Sequence, residues 1–207
     1  MRKPDYNCKI IAVGENEAGK TSILKCLAHT REFSYTEAPT IGVDLHTTDL
    51  KIDDNIFRLN CWDTAGQEQF RAIIRNFYRG CAGALLVFDI TSWKSFEQLP
   101  LWISEIKDRD PHMQMIILGN KLDINTERIV SKEKAEKFAA ENKLSYYEVS
   151  AKDINSILPA INELVTNIYE CYKKDPDMLL GIRPFERSNI SIQAKENNNE
   201  SNCCVIA

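Results

Sequence analysis

The chain has 207 residues, of which 43% are hydrophobic and 27% charged, and its formal net charge is −4 at pH 7. This length predicts one domain, or one domain with a tail, and a core large enough to fold without disulfide bonds. The acidic balance argues against nucleic acid as a partner. No apolar run reaches the length of a membrane span, and we expect neither a secretory signal nor N-myristoylation at the MRKPD start.

The first third of the chain alternates strand and helix patterns. A continuously apolar run at 10–13 predicts a strand buried on both faces, and a helix is predicted over 21–29. Residues 50–52 and 56–62 alternate in polarity around a turn-rich triplet, which predicts an antiparallel hairpin. An amphipathic helix is then indicated by apolar residues at helical spacing, namely Phe70, Ile73, Ile74, Phe77 and Tyr78.

The middle of the chain repeats the alternation. Runs at 84–88 and 115–118 predict two more buried strands. Between them an apolar stripe at Phe96, Leu99, Ile103 and Ile106 indicates a helix. Pro100 lies inside this stripe and predicts a kink or a late helix start, because proline lacks the backbone N–H that an interior helical position donates.

The last elements are two helices around a strand at 146–149. Ser131 can cap a helix that turns Ala135, Phe138 and Ala139 inward. The final helix takes its apolar face from Ile161, Leu164, Val165, Ile168 and Tyr172. Pro159 is tolerable in that helix if Ser156 is its cap, because the proline then lies in the first turn.

This order predicts an α/β fold, a doubly wound, mostly parallel six-stranded sheet with one antiparallel hairpin strand and helices on both faces. In such folds ligands bind at the carboxyl ends of the strands. We expect a folded domain over 1–174 and a flexible tail over 175–207, where no hydrophobic period is sustained.

Residues 14–21, GENEAGKT, fit the phosphate-loop pattern G-x-x-x-x-G-K-[ST] after the first strand. Backbone N–H groups of such a loop wrap phosphate oxygens, the Lys20 ammonium reaches the β and γ groups, and the Thr21 hydroxyl is a Mg²⁺ ligand. Asp63, which ends a strand, is the expected acidic partner of the ion. The predicted phosphate contacts are Glu15, Asn16, Glu17, Ala18, Gly19, Lys20, Thr21 and Ser22.

Two later segments predict recognition of guanine. Asn120-Lys121-Leu122-Asp123 follows a buried strand, and the Asp123 carboxylate can accept hydrogen bonds from guanine N1 and N2, which adenine does not offer. The Lys121 stem can lie along the base, and Asn120 is expected to tether the phosphate loop. Ser150-Ala151-Lys152 ends the last strand and completes the predicted base site.

Together with WDTAGQE at 62–68, IGVD at 41–44 and NFYRG at 76–80, these motifs resemble the Rab family of small GTPases in the Ras superfamily. The resemblance covers residues 8 to about 172 and resumes at the terminal cysteines. It implies that Gln67 orients the attacking water. Further implied contacts are the Gly66 N–H to the γ-phosphate, Phe33 on the base, the Ala151 N–H to the guanine oxygen, and Mg²⁺ ligation by Thr40 beside Thr21 and Asp63.

The resemblance also implies partners. It predicts a guanine nucleotide exchange factor, a GTPase-activating protein, a prenyl-carrier protein, and effectors that bind around Ile41, Trp62 and Phe77 in the switch regions. Simple core packing is the alternative for the two aromatic residues. Leu45 and Glu37 stand where the family usually has Phe and Tyr, so the partner set, but not the chemistry, departs from the common pattern. A small polar residue at Asn16 crowds the γ-phosphate region and predicts slow intrinsic hydrolysis.

Five of the seven cysteines lie in apolar or helical stretches without a CxxC pair, which predicts reduced thiols in a cytosolic protein. Cys203 and Cys204 precede Val-Ile-Ala at the end. This end permits a geranylgeranyl group on each cysteine, a single farnesyl group on Cys204, or a prenyl group together with a palmitoyl group. Residues 175–207 carry three basic and five acidic side chains, so one lipid without a basic patch gives only marginal anchoring, which favours two.

The sequence therefore favours an enzyme used as a switch, which hydrolyses GTP slowly on the cytoplasmic face of an intracellular membrane and cycles with the cytosol in vesicle traffic. Two alternatives remain open. One is a binding module that holds GTP without meaningful hydrolysis, and the other is a small-molecule kinase built on the same phosphate loop.

Overall fold

A computed structural model of the protein describes residues 2–28, 40–66 and 71–185, with the side chains of 71–73 excepted. Within these ranges the strands are β1 Tyr6–Val13, β2 Val43–Ile52, β3 Asn55–Thr64, β4 Gly83–Asp89, β5 Gln114–Asn120, β6 Ser145–Glu148 and β7 Ile182–Pro184. The helices are α1 Lys20–Leu27, α2 Arg71–Phe77, α3 Trp93–Glu97, α4 Leu99–Arg109, α5 Lys132–Asn142 and α6 Ile154–Lys174.

The strands form one sheet in the order β2-β3-β1-β4-β5-β6. Within this series β2 is antiparallel to β3, with Leu45 opposite Trp62, and every other pair is parallel. The predicted doubly wound α/β fold with one antiparallel hairpin strand is thus confirmed. The phosphate loop, Asp63 and the segments at 120–123 and 150–152 lie at the carboxyl ends of strands at one edge of this sheet, whereas Thr40 precedes β2.

The sheet also has a seventh strand that the sequence did not indicate. β7 pairs antiparallel with Tyr6–Cys8 of β1, while β4 pairs only with the later residues of β1, so β7 fills the remaining part of the same edge. Leu179 and Ile182 join the core, and the Phe185 N–H donates to the carbonyl of Asp5. The packed chain therefore continues beyond the predicted boundary at 174, and residues 186–207 of the expected tail lie outside the described residues.

Two hydrophobic cores lie on opposite faces of the sheet. In β1, Cys8, Ile10 and Ala12 face α1 and α6, whereas Ile11 and Val13 face the side of α2 to α5. Burial on both faces explains why the predicted central strands are continuously apolar rather than alternating.

The prolines have different effects on the two helices that contain them. Pro100 lies in the first turn of α4, directly after the short helix α3, so the predicted late start is confirmed. The predicted cap of α6 at Ser156 is wrong, because Asp153 accepts from the Asn155 N–H and Ser156 lies inside the helix. Pro159 therefore lies beyond the first turn of an unbroken helix. Ser131 caps α5 as expected, accepting from the Lys134 N–H.

Candidate functional site

The phosphate loop turns sharply between β1 and α1 where only glycine fits. Gly14 has φ +147° and a Cβ there would lie 2.0 Å from the carbonyl oxygen of Val87. Gly19 has φ +89°, and its Cβ would lie 2.2 Å from Nδ2 of Asn120. Glu17 takes a left-handed φ of 62° without being glycine, a conformation that costs about 1 kcal/mol or more. The loop backbone is thus held close to neighbouring strands, with its N–H groups at the start of α1.

The Lys20 side chain links the end of this loop to its start. Its ammonium donates to the carbonyl oxygens of Gly14 at 3.1 Å and Glu15 at 3.0 Å, and the side chain is buried. Burial lowers the pKa of Lys20 to about 8, against the opposing influence of Asp63 and Glu15. A nearby anion such as a phosphate would favour the charged form again.

Three oxygen-bearing side chains meet beside Lys20. Thr21 Oγ1 lies 2.8 Å from Thr40 Oγ1 and donates to Asp63 Oδ2 at 2.6 Å, and Thr40 Oγ1 donates to the same oxygen at 3.0 Å. They come from α1, from the segment before β2, and from the end of β3. The structure therefore brings together the three side chains that the sequence assigns to Mg²⁺.

This cluster fits Mg²⁺ by its chemistry. Asp63 is fully buried, and its Oδ1 has no hydrogen-bond partner among the described residues. Hard cations such as Mg²⁺ prefer oxygen ligands, few of them carboxylates. No cluster of three His, Cys, Asp or Glu side chains suited to a metal occurs in the described ranges, so a carboxylate with two hydroxyls is the arrangement to consider.

The base-recognition residues meet at the ends of β5 and β6. Ser150 Oγ donates to Asp123 Oδ1 at 2.7 Å, and Lys152 Nζ lies 2.6 Å from Asp123 Oδ2. Partial burial favours the neutral acid, but the hydrogen bonds from Lys152 and Ser150 outweigh it and lower the pKa of Asp123. The carboxylate is therefore ionised near neutral pH and available as an acceptor.

Asn120 connects the phosphate loop with the base-recognition segment. Its Nδ2 donates to the Ala18 carbonyl at 2.9 Å, and its Oδ1 accepts from the Ala151 N–H at 3.2 Å. The expected tether to the phosphate loop is thus present. The Ala151 N–H, which the resemblance assigns to the guanine oxygen, is bonded to Asn120 in this structure.

Two ion pairs support the site without having been predicted. Lys121, in a left-handed conformation at φ 71°, places Nζ 2.7 Å from Asp89 Oδ2, and Lys94 Nζ lies 3.5 Å from Glu15 Oε1. Asp89 ends an apolar strand, so the same strand-end rule that selected Asp63 would have found it. Lys94 carries no such signal, because its pairing depends on how α3 lies against the loop.

Some of the predicted site residues lie outside the described residues, and others are placed in the site only by the position of their backbone. Gln67, Phe33, Cys203 and Cys204 lie outside the described residues. Gly66 is packed against the phosphate loop, and a Cβ there would lie 2.4 Å from the Asn16 nitrogen. Ser22 lies in the first turn of α1.

The residues predicted to meet effectors divide into two groups. Ile41 is 88% exposed, and Leu45 is exposed on β2. Trp62 and Phe77 are half-buried, with ring centroids 5.4 Å apart, and pack against the core on the side of α2 to α5. Core packing and partial exposure therefore coexist at the two aromatic residues.

The described helices include none that combines the length and apolar character needed to cross a membrane.

Comparison with known sequences identifies the family of the chain. A family model described as "Ras family" matches residues 9–170. The chain is 37% identical to "Ras-related protein RABA4c" of Arabidopsis thaliana over 84% of its own length and 78% of the relative's.

It is also 38% identical to "Ras-related protein Rab11A" of Lotus japonicus, with 83% of this chain and 76% of that protein covered. Identity to "GTP-binding protein ypt3" of Schizosaccharomyces pombe is 39%, with 80% and 77% covered. The matched region contains the whole phosphate loop, the Asp63 cluster and the Asn120 to Lys152 segments. The chain therefore belongs to the Rab family of small GTPases, enzymes that hydrolyse GTP to GDP and phosphate.

Proposed function

We propose that the protein is a GTP/GDP-dependent switch that regulates membrane traffic through effectors bound by its GTP form. The observation that carries the proposal is the meeting of Thr21, Thr40 and Asp63 within 3.0 Å beside Lys20. Thr40 lies directly before the exposed Ile41, so a group bound at this cluster acts on the surface that partners meet. The name of one relative, "GTP-binding protein ypt3", supports a guanine nucleotide as the ligand.

The site residues have distinct proposed roles. Backbone N–H groups of 15–19 hold the phosphates, and Lys20 supplies positive charge to their oxygens. Mg²⁺, held by Thr21 with Thr40 and Asp63, neutralises phosphate charge when it is bound. Asp123 selects guanine by accepting from N1 and N2, and a base without that donor pair leaves the carboxylate unsatisfied.

Hydrolysis is proposed to be slow without help. A water oriented by Gln67 attacks the γ-phosphorus, the bond from phosphorus to the β,γ-bridging oxygen breaks, and phosphate leaves GDP behind. No arginine suited to stabilise the charge on the transferred group is evident in the sequence, so an activating protein is expected to supply one. When the γ-phosphate is lost, Thr40 loses a contact that holds it at the cluster, and the effector surface is released.

Membrane attachment is proposed to come from the terminal cysteines. Two geranylgeranyl groups on Cys203 and Cys204 are favoured over one farnesyl group on Cys204, because the tail is acidic and offers no attraction to anionic lipid. A prenyl-carrier protein then moves the chain between cytosol and the cytoplasmic face of an intracellular membrane. The intact mass of the C-terminal peptide from the native cell distinguishes the two patterns.

The central experiment measures release of a fluorescent GDP analogue from the full chain. Excess GTP should displace it, whereas excess ATP should not. Replacing Asp123 by Asn exchanges one acceptor for a donor, which suits the N1–H and O2 of xanthine, so the variant should prefer xanthosine nucleotides. Lys152→Gln removes a neighbouring charge but keeps the carboxylate, and should retain preference for guanine. Equal displacement by ATP and GTP would refute the assignment.

Single-turnover hydrolysis tests the switch itself. GTP-loaded protein should hydrolyse slowly, and Gln67→Leu should be slower still. If the wild type and Gln67→Leu showed no hydrolysis alike, even with an activating protein, the chain would be a binding module and the enzymatic part of the proposal would fail.

A further inference from the structure

An open cavity of about 420 Å³ lies at the end of the sheet opposite the phosphate loop. Its lining includes Arg75, Asn76, Arg79, Arg109, Asp110 and Leu180. These residues come from α2 and the turn after it, from the end of α4, and from the segment before β7. The volume falls in the range of small-molecule sites.

Two of the three arginines that line the cavity are unpaired among the described residues. Arg79 and Arg109 make no side-chain hydrogen bond or ion pair with the residues the structure describes, and both are exposed. Arg75 is paired with Glu105 at 2.9 Å. The acidic lining residue, Asp110, already accepts from the His112 N–H through Oδ1. Arginine is the side chain best suited to bidentate binding of phosphate oxygens.

The location of the cavity relates it to the membrane anchor. Gly181 fits tightly against Ala82, where a Cβ would lie 2.0 Å from the Ala82 nitrogen, so the segment carrying Leu180 is fixed to the domain. β7 then leads the chain out at Phe185, at the same end of the molecule as the cavity. Leu180 is 68% exposed at the cavity wall. An apolar side chain beside basic groups is an arrangement that suits a lipid surface.

We propose that this cavity binds the phosphorylated headgroup of a membrane lipid, with Arg79 and Arg109 on the phosphate and Leu180 against the acyl region. The inference rests on the proposed function in one respect, namely that the tail brings this face to a membrane. The tail is acidic, so the attraction to anionic lipid comes from the arginine side chains that line the cavity and not from the tail. The orientation that results turns the nucleotide edge and Ile41 away from the bilayer.

The test uses the full chain produced without a prenyl group, so that it does not depend on the lipid anchor. Partition to phosphatidylcholine vesicles is compared with and without 5% phosphatidylinositol bisphosphate, and soluble inositol trisphosphate is titrated separately. The charge-removing variant is Arg79→Gln/Arg109→Gln. Its matched control is Lys132→Gln/Lys137→Gln, which removes two charges from the exposed face of α5. A third variant, Leu180→Ser, removes the apolar contact alone.

Wild type and control should bind the phosphoinositide vesicles, and the arginine variant should bind them roughly 30-fold less, from two charges at about 1 kcal/mol each. Leu180→Ser should weaken vesicle binding but leave inositol trisphosphate binding unchanged. Equal vesicle binding by the arginine variant and the control would overturn the proposal. Binding of inositol trisphosphate without binding of the vesicles would also overturn it, because the site would then be one for free phosphates. GTP-dependent release of the GDP analogue, measured on the same preparations, reports separately on the proposed function.

Discussion

Replacing Asn120 by Ala should loosen both halves of the nucleotide site at once. The Asn120 side chain is buried and makes two hydrogen bonds to backbone groups, donating to Ala18 and accepting from Ala151. The first partner belongs to the phosphate loop and the second to the base-recognition segment. Removing the amide leaves both buried backbone groups without a partner.

The expected loss of stability follows from these two contacts. A buried polar group left without its hydrogen bond costs about 1–3 kcal/mol, so two such groups cost about 4 kcal/mol together. For a domain of this size, about 4 kcal/mol corresponds to a fall in Tm of roughly 8–16 °C. Asn120→Asp keeps an acceptor for the Ala151 N–H but turns a carboxylate oxygen toward the Ala18 carbonyl, so it should not rescue the loss.

Urea unfolding of the nucleotide-free protein measures the change, because bound nucleotide itself contributes to stability and would offer the Ala151 N–H the guanine oxygen as a new partner. The matched control is Asn142→Ala in α5, which removes one local hydrogen bond to the Phe138 carbonyl and should cost about 1 kcal/mol or less. GDP release should be faster in Asn120→Ala and unchanged in the control. If Asn120→Ala cost no more than the control, the amide would not be what holds the two segments together.

Three further predictions concern the phosphate loop and the core. Gly66→Ala places a Cβ within 2.4 Å of the Asn16 nitrogen, so residue 66 must move away from the phosphate loop. Single-turnover GTP hydrolysis should then be roughly 10²-fold slower, because the γ-phosphate contact of residue 66 is displaced. An unchanged rate would contradict this close packing. The pKa of Lys20 falls from its ordinary 10.5 to about 8, so the unfolded chain binds more protons between these values. In the nucleotide-free protein, stability relative to Lys20→Met should therefore rise by up to about 3 kcal/mol from pH 8 to 10.5; urea unfolding of both proteins without such a rise would refute this. Burial raises the pKa of Cys61 and of Cys81 to about 12, so iodoacetamide at pH 8 should label both in urea but neither in the native protein, as peptide masses will show.

Much of the fold could be predicted because burial on both faces leaves a plain signal. The runs at 10–13, 84–88 and 115–118 are apolar without interruption, and each lies within a central strand of the sheet. The site followed from the same signal. Motifs placed at the carboxyl ends of parallel strands must meet at one edge of the sheet. Asp123, which follows a continuously apolar run, and Asp63, which ends the alternating run at 56–62, both lie there.

The features that escaped prediction depend on tertiary contacts. β7 has only three residues, one of them a proline, and is too short to show a hydrophobic period. It forms because β4 leaves part of the edge of β1 open. Asp153 and Ser156 are both competent helix caps in sequence. In the structure Asp153 accepts from the Asn155 N–H, while the Ser156 hydroxyl accepts from the Ser150 N–H and donates to the Asp153 carbonyl. The pairing of Lys94 with Glu15 likewise requires the position of α3.

The two ends of the nucleotide site differ in how firmly they are held, and this difference suits a switch. Asp123 is held by a hydroxyl and an ammonium from the segment that Asn120 ties to the phosphate loop. Among the described residues the Thr40 hydroxyl contacts only Thr21 and Asp63. Its one proton goes to the Asp63 carboxylate, a hydrogen bond worth about 1.5–3 kcal/mol. A ligand that adds or loses one charged contact at this cluster changes the free energy by a similar amount, which is enough to shift Thr40 between two positions. The base end has no such weakly held residue. On the proposed function we therefore expect it to stay formed after hydrolysis, so that GDP remains bound when the γ-phosphate leaves.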